Sequence, residues 1–156
     1  ADKGPDSDYI PVPNGGNGKN LHFPPFTFYG VPKERGVLKA VGYHQGKKVA
    51  EYTVKTPGVP ERLDITYFES GKPATKNDLL IVYVRMLDKQ GVLCPVNGIP
   101  VELSVQGGEI VGPTSYPLEA GVASFLVRTG EISKINIRAT SKEFSIYKKI
   151  KIKNSL

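Results

Sequence analysis

Residues Gly36 to Leu63 read GVLKAVGYHQGKKVAEYTVKTPGVPERL, and this stretch sets the architecture expected of the rest. Side chains alternate across a strand, so Val37, Val41 and Tyr43 point to one face, and Leu38, Ala40 and Gly42 to the other. His44-Gln45-Gly46-Lys47 supplies a polar, glycine-containing turn. Val49-Ala50-Glu51-Tyr52-Thr53-Val54 returns with residue types that fit a pleated, half-buried surface. Pro57 and Pro60 in Thr56-Pro57-Gly58-Val59-Pro60 then fix φ twice and remove two ladder donors, so the sheet must stop. The stretch predicts a hairpin, a rigid joint and the first strand of a second unit.

Beyond the joint the pattern stays all-β. Leu63, Ile65 and Tyr67 share a face, and Leu79 to Leu87, LLIVYVRML, is the strongest apolar, β-branched run and the predicted central strand. Asp88-Lys89-Gln90-Gly91 and Asn97-Gly98 are turn sequences. Val101, Leu103 and Val105 face inward on the next strand, Glu109 to Gly112 reads as a short edge strand, and Val122 to Val127, Ile132 to Ala139 and Phe144 to Lys153 continue the series. Strands at this spacing predict an Ig-like β-sandwich over residues 58–156. Its expected core contains Leu63, Ile65, Leu80, Val82, Val84, Leu103, Val105, Phe125 and Val127. The absence of Trp, with 17 Gly and 13 Pro, agrees with many short strands and turns.

Before the hairpin, residues 1–22 are rich in Gly, Pro, Asn and Asp and read as a loop, disordered at its first few residues. Asp2, Asp6, Asp8, Asn14 and Asn17 do not match the twelve-residue calcium pattern with its terminal Glu. Leu21 to Tyr29, LHFPPFTFY, is the densest aromatic cluster. His22, Phe26 and Tyr29 are candidates for contact with carbohydrate, because a π-face packs against the C–H face of a sugar ring; a structural strand with Phe26 and Phe28 facing a core is the competing reading. Residues 1–57 are thus expected to be a partial β domain: the loop, then about three strands.

The segment GVLKAVGYHQGKKVAEYTVKTPGVPERLDI resembles the C-terminal region of glycoside hydrolase family 2 enzymes, the β-galactosidase-like members of bacterial polysaccharide degraders. There a comparable segment closes one Ig-like domain and leads into another. The likeness runs back to Phe23-Pro24-Pro25-Phe26-Thr27-Phe28 and Val31-Pro32, and forward to Ala120-Gly121-Val122-Ala123, roughly residues 20–140. Val84 to Gly91, Val105 to Gly112 and Glu119 to Gly130 also resemble bacterial Ig-like repeats. The resemblance implies a non-catalytic accessory region that supports the catalytic barrel or oligomerisation, in a parent that is periplasmic or secreted. It also implies that the first domain, which lacks counterparts of the family's earlier strands, is truncated. The alternative is a bacterial Ig-like spacer, adhesion module or carbohydrate-binding module; the hairpin and joint favour the former.

The chemistry-bearing residues point the same way. Glycoside hydrolysis needs two carboxylates about 5–9 Å apart, one with a raised pKa. Glu69, Asp78, Asp88 and Glu119 fall in turns or strand edges, where solvated carboxylates belong. His22 and His44 lie in no nucleophile motif, and the chain has neither a phosphate-loop nor an HExxH sequence. No catalytic, cofactor-binding or metal-ligating residue is therefore expected. Cys94, the one cysteine, rules out an internal disulfide or cysteine cluster and reads as a small buried hydrophobe. The net charge of +6 is divided equally on either side of Glu61, which argues against a nucleic-acid face; no apolar run is long enough to span a membrane. Lys149, Lys151 and Lys153 share a face that could contact anionic glycans, and read first as a solvated outer face guarding an edge strand. The expected partners are upstream domains of the same parent, carbohydrate, or a second copy. The copy, the sandwich or the loop 1–22 would cover an apolar hairpin face formed by Val37, Val41, Tyr43, Val49 and Phe26.

Overall fold

The computed structural model describes residues 34–68 and 73–153. These fall almost wholly in one compact unit, Val37–Leu156. Among them are ten strands and no helix: β1 (Val37–His44), β2 (Lys47–Lys55), β3 (Pro60–Phe68), β4 (Leu79–Asp88), β5 (Pro100–Gln106), β6 (Gly108–Ile110), β7 (Ser115–Pro117), β8 (Val122–Thr129), β9 (Lys134–Ser141) and β10 (Phe144–Lys151).

Two antiparallel four-stranded sheets, ordered β3-β4-β8-β6 and β10-β9-β5-β7, form the sandwich. Strict alternation explains the packing. On β4, Leu80, Val82, Val84 and Met86 are buried while Leu79 and Ile81 are exposed; on β9, Ile135, Ile137 and Ala139 are fully enclosed. Every core residue expected from the sequence is in the core cluster or, like Val105, packed against it. Each fully buried Val, Ile or Phe contributes about 1.5–3 kcal/mol relative to exposure, before ordering costs. The run LLIVYVRML lies between β3 and β8, inside its sheet, as its unbroken apolar character requires.

One close approach depends on a missing side chain. Gly121, at φ +85°, donates to the Val96 carbonyl and accepts from Met86 N. A Cβ there would lie 2.1 Å from the Cys94 carbonyl oxygen, so the chain before β8 can pass the segment after β4 only with glycine at this place.

The hairpin is a sheet of its own, β1 paired with β2. Gln45 and Gly46 both have positive φ, the two-residue turn whose twist matches that of the strands. The register shifts between Gly42 and Tyr43, leaving Val49 as the extra residue of a bulge. Pairing corrects the expected apolar face. Val37 and Val41 share their side with Lys39, Glu51 and Lys55, and Glu51 there binds both Lys39 and Lys48. The opposite side is uncharged away from the turn, with Leu38 against Val54, Ala40 against Tyr52 and Gly42 against Ala50, and it carries Lys47 opposite His44 at its turn end. The sandwich does not cover the hairpin either. Leu38 is 59% and Tyr52 72% exposed.

Candidate functional site: the joint and the hairpin face

Four residues outside the strands, Thr56 to Val59, separate the hairpin from β3. They are held by a side chain the sequence places in a turn. Asp88 closes β4 opposite Pro60 and is 4% exposed. Its Oδ2 accepts a hydrogen bond from Gly58 N at 2.8 Å, thirty residues back in the chain, while Oδ1 accepts from Gln90 N at 2.9 Å and Val92 N at 2.8 Å. The expectation of a solvated carboxylate at Asp88 is thus corrected: three backbone donors replace water around a buried charge, which satisfies it without a cation. The Gly58 N–H above all, then those of the turn, hold the carboxyl below its ordinary range, against the opposing effect of burial.

Cys94 packs behind the same joint. It is buried, its thiol lies 3.7 Å from the Gly58 carbonyl, and desolvation together with the nearby Asp88 charge pushes its pKa up. A thiol kept protonated is a poor nucleophile, so Cys94 is the packing residue its sequence context suggests.

The other described carboxylates with named partners are structural as well. Asp64 pairs with Arg85 across β3 and β4, and Glu109 with Arg128 across β6 and β8; Lys48 first and Lys39 second hold the Glu51 carboxyl low. Asp78 Oδ1 bonds its own strand at Leu79 N. Glu119 is exposed and Glu69 lies outside the described residues. No cluster of three or more His, Cys, Asp or Glu among the described residues could hold a metal ion. Of the histidines, His44 ends β1, exposed. The carbohydrate candidates His22, Phe26 and Tyr29 all lie outside the described residues, as does the rest of the loop 1–22.

Sequence reasoning missed Thr129. It ends β8 fully buried; its hydroxyl accepts from Asp78 N at 2.8 Å and donates to the Thr75 carbonyl at 2.6 Å, tying the approach to β4 onto the end of the neighbouring strand.

What the fold defines, among the described residues, is a sandwich entered through a braced joint from a hairpin that the sandwich leaves exposed. This is an Ig-like accessory architecture, and known proteins place it in a family. A β-galactosidase of Rhizobium radiobacter is 30% identical over 125 residues, which cover 79% of this chain and 89% of that sequence. A β-galactosidase of Thermoanaerobacter pseudethanolicus is 29% identical over 143 residues, 83% of this chain and 19% of that enzyme. Among solved structures, a glycosyl hydrolase family 2 member from Bacteroides cellulosilyticus superposes with a TM-score of 0.67 at 25% identity, over 77% of this chain and 19% of that one. No family model matches the chain. The chain belongs to the family 2 glycoside hydrolases, and the part of them it represents is an Ig-like accessory region. It spans about a fifth of the Thermoanaerobacter enzyme's length.

Proposed function

We propose that this chain is a C-terminal, non-catalytic part of a β-galactosidase-like enzyme and supports the catalytic barrel or its assembly. The observation that carries the reading is the asymmetry of the likeness: it takes in most of this chain but about a fifth of the Thermoanaerobacter enzyme and of the Bacteroides cellulosilyticus structure. The described carboxylates with named partners add support, since they serve ion pairs, turns, the joint or, for Glu131, a hydrogen bond from the Asn77 amide between loops.

The hairpin belongs, on this reading, to a preceding β domain that includes residues 1–57. Its uncharged face, Leu38, Ala40, Gly42, Ala50, Tyr52 and Val54, is the inner face of that domain, covered by strands supplied by the parent enzyme. The Asp88 brace then fixes the direction in which the sandwich leaves it. Polysaccharide degradation by the parent would put both domains in the periplasm or outside a bacterial cell.

The purified chain is expected to show no turnover of chromogenic galactosides or glucuronides above the uncatalysed rate. Turnover that disappears on mutating one of its own carboxylates would overturn the proposal.

A further inference from the structure

The outer face of the β10-β9-β5-β7 sheet takes no part in the core, the joint or the hairpin. With Ile135, Ile137 and Ala139 turned inward on β9, Asn136, Arg138 and Thr140 turn out. The register builds rows across the three longer strands: Tyr147 beside Arg138 beside Ser104, Ser145 beside Thr140 beside Glu102, Lys149 beside Asn136 beside Gln106.

Two features make this face more than a solvated surface. Tyr147 is 68% exposed, and the Arg138 guanidinium carbon stands 5.2 Å from its ring centroid. Arg138 Nε also makes a long contact with Ser145 Oγ at 3.4 Å, so two weak interactions bias the guanidinium towards the ring. One row away, about 7 Å along the strands, a hollow of about 260 Å³ is lined by Pro100, Glu102, Thr140, Ser141 and Lys142. Thr140 and Glu102 belong to both the row and the hollow, so an aromatic ring, a cation, hydroxyls and a hollow form one continuous strip.

We infer that this strip binds an acidic polysaccharide, one carrying uronate or sulfate groups. An open tyrosine face packs against the C–H side of a sugar ring. The guanidinium offers paired N–H donors to a carboxylate or sulfate. Ser104, Asn136 and Gln106 present the donors and acceptors that sugar hydroxyls require. The charge balance selects the anionic ligand: among the outward residues of β10, β9 and β5, Lys134, Arg138, Lys149 and Lys151 face a single carboxylate, Glu102. The inference stands independently of the parent's activity.

Affinity electrophoresis and titration calorimetry on the full 156-residue chain test it, with polygalacturonate as the acidic probe, a neutral galactan as its uncharged counterpart, and double-stranded DNA as a polyanion without sugar faces to stack. Polygalacturonate is expected to retard the chain and galactan not. Tyr147→Ala and Arg138→Gln are each expected to weaken binding about tenfold, the loss of one good contact, with an unchanged thermal midpoint; Lys89→Gln, in the remote turn after β4, is expected to change nothing. Absence of retardation, equal retardation by galactan, or DNA binding as tight as polygalacturonate binding and indifferent to Tyr147→Ala would each overturn the inference.

Discussion

Asp88 shows how one side chain can govern a joint. A turn aspartate ordinarily caps its own turn, and Oδ1 does so here through Gln90 N and Val92 N. The other oxygen reaches back to Gly58, a partner no local reading can reveal, because the two are brought together only by the pairing of β3 with β4. The folded-state pKa of Asp88 is lowered, so its contribution to stability is fully present above the unfolded value near pH 4 and is lost as pH falls through the lower folded value. Asp88→Asn is therefore expected to melt roughly 5–10 °C below the parent chain at neutral pH, and the gap should narrow as pH drops below about 4. A gap that stays constant to strongly acid pH would mean that the charge is not what braces the joint. Gly121 supplies a second test at this scale. Gly121→Ala introduces both a strained φ and a clash with the Cys94 carbonyl, an expected loss of about 2–5 kcal/mol in denaturant titration.

At the scale of elements, the long apolar strands are legible because their period leaves one solution: β4, β5 and β8 bury alternate residues named from the sequence, and β9, expected there as an alternating strand without named core residues, buries Ile135, Ile137 and Ala139. Edges were less legible. β7 is three residues ending on Pro117, and it exists because of its pairing with β5, not because of a pattern of its own. The hairpin was recognised as a hairpin, but which face is uncharged depends on which residues stand opposite one another. Val37 and Val41 are the bulkier choice in β1 alone; register sets Glu51 and Lys55 against them. The candidate sugar contacts ahead of it lie outside the described residues, while the strip around Tyr147 and Arg138 needed cross-strand neighbours to be seen. Because Tyr52 faces away from all of the sandwich core, Tyr52→Lys is expected to leave unfolding of the sandwich within about 0.5 kcal/mol of the parent chain, and to reduce self-association in sedimentation. A lowered melting temperature would instead mean that Tyr52 packs against the sandwich.

At the scale of the molecule, two parts with opposite needs share one chain. The sandwich closes its own core between two sheets, whereas a two-stranded hairpin that no other described strand covers is marginal by itself. On the function proposed above, the rest of the parent enzyme covers the hairpin and uses the braced joint to set the next domain's direction. The central claim is that the sandwich is self-sufficient and the hairpin is not. Amide hydrogen exchange on the dilute, monomeric chain tests it most directly. Amides of β4 and β8 are expected to exchange only through global unfolding, and those of β1 and β2 orders of magnitude faster, through local opening. Protection of the hairpin equal to that of β4 in the monomer, unchanged on further dilution, would contradict the account.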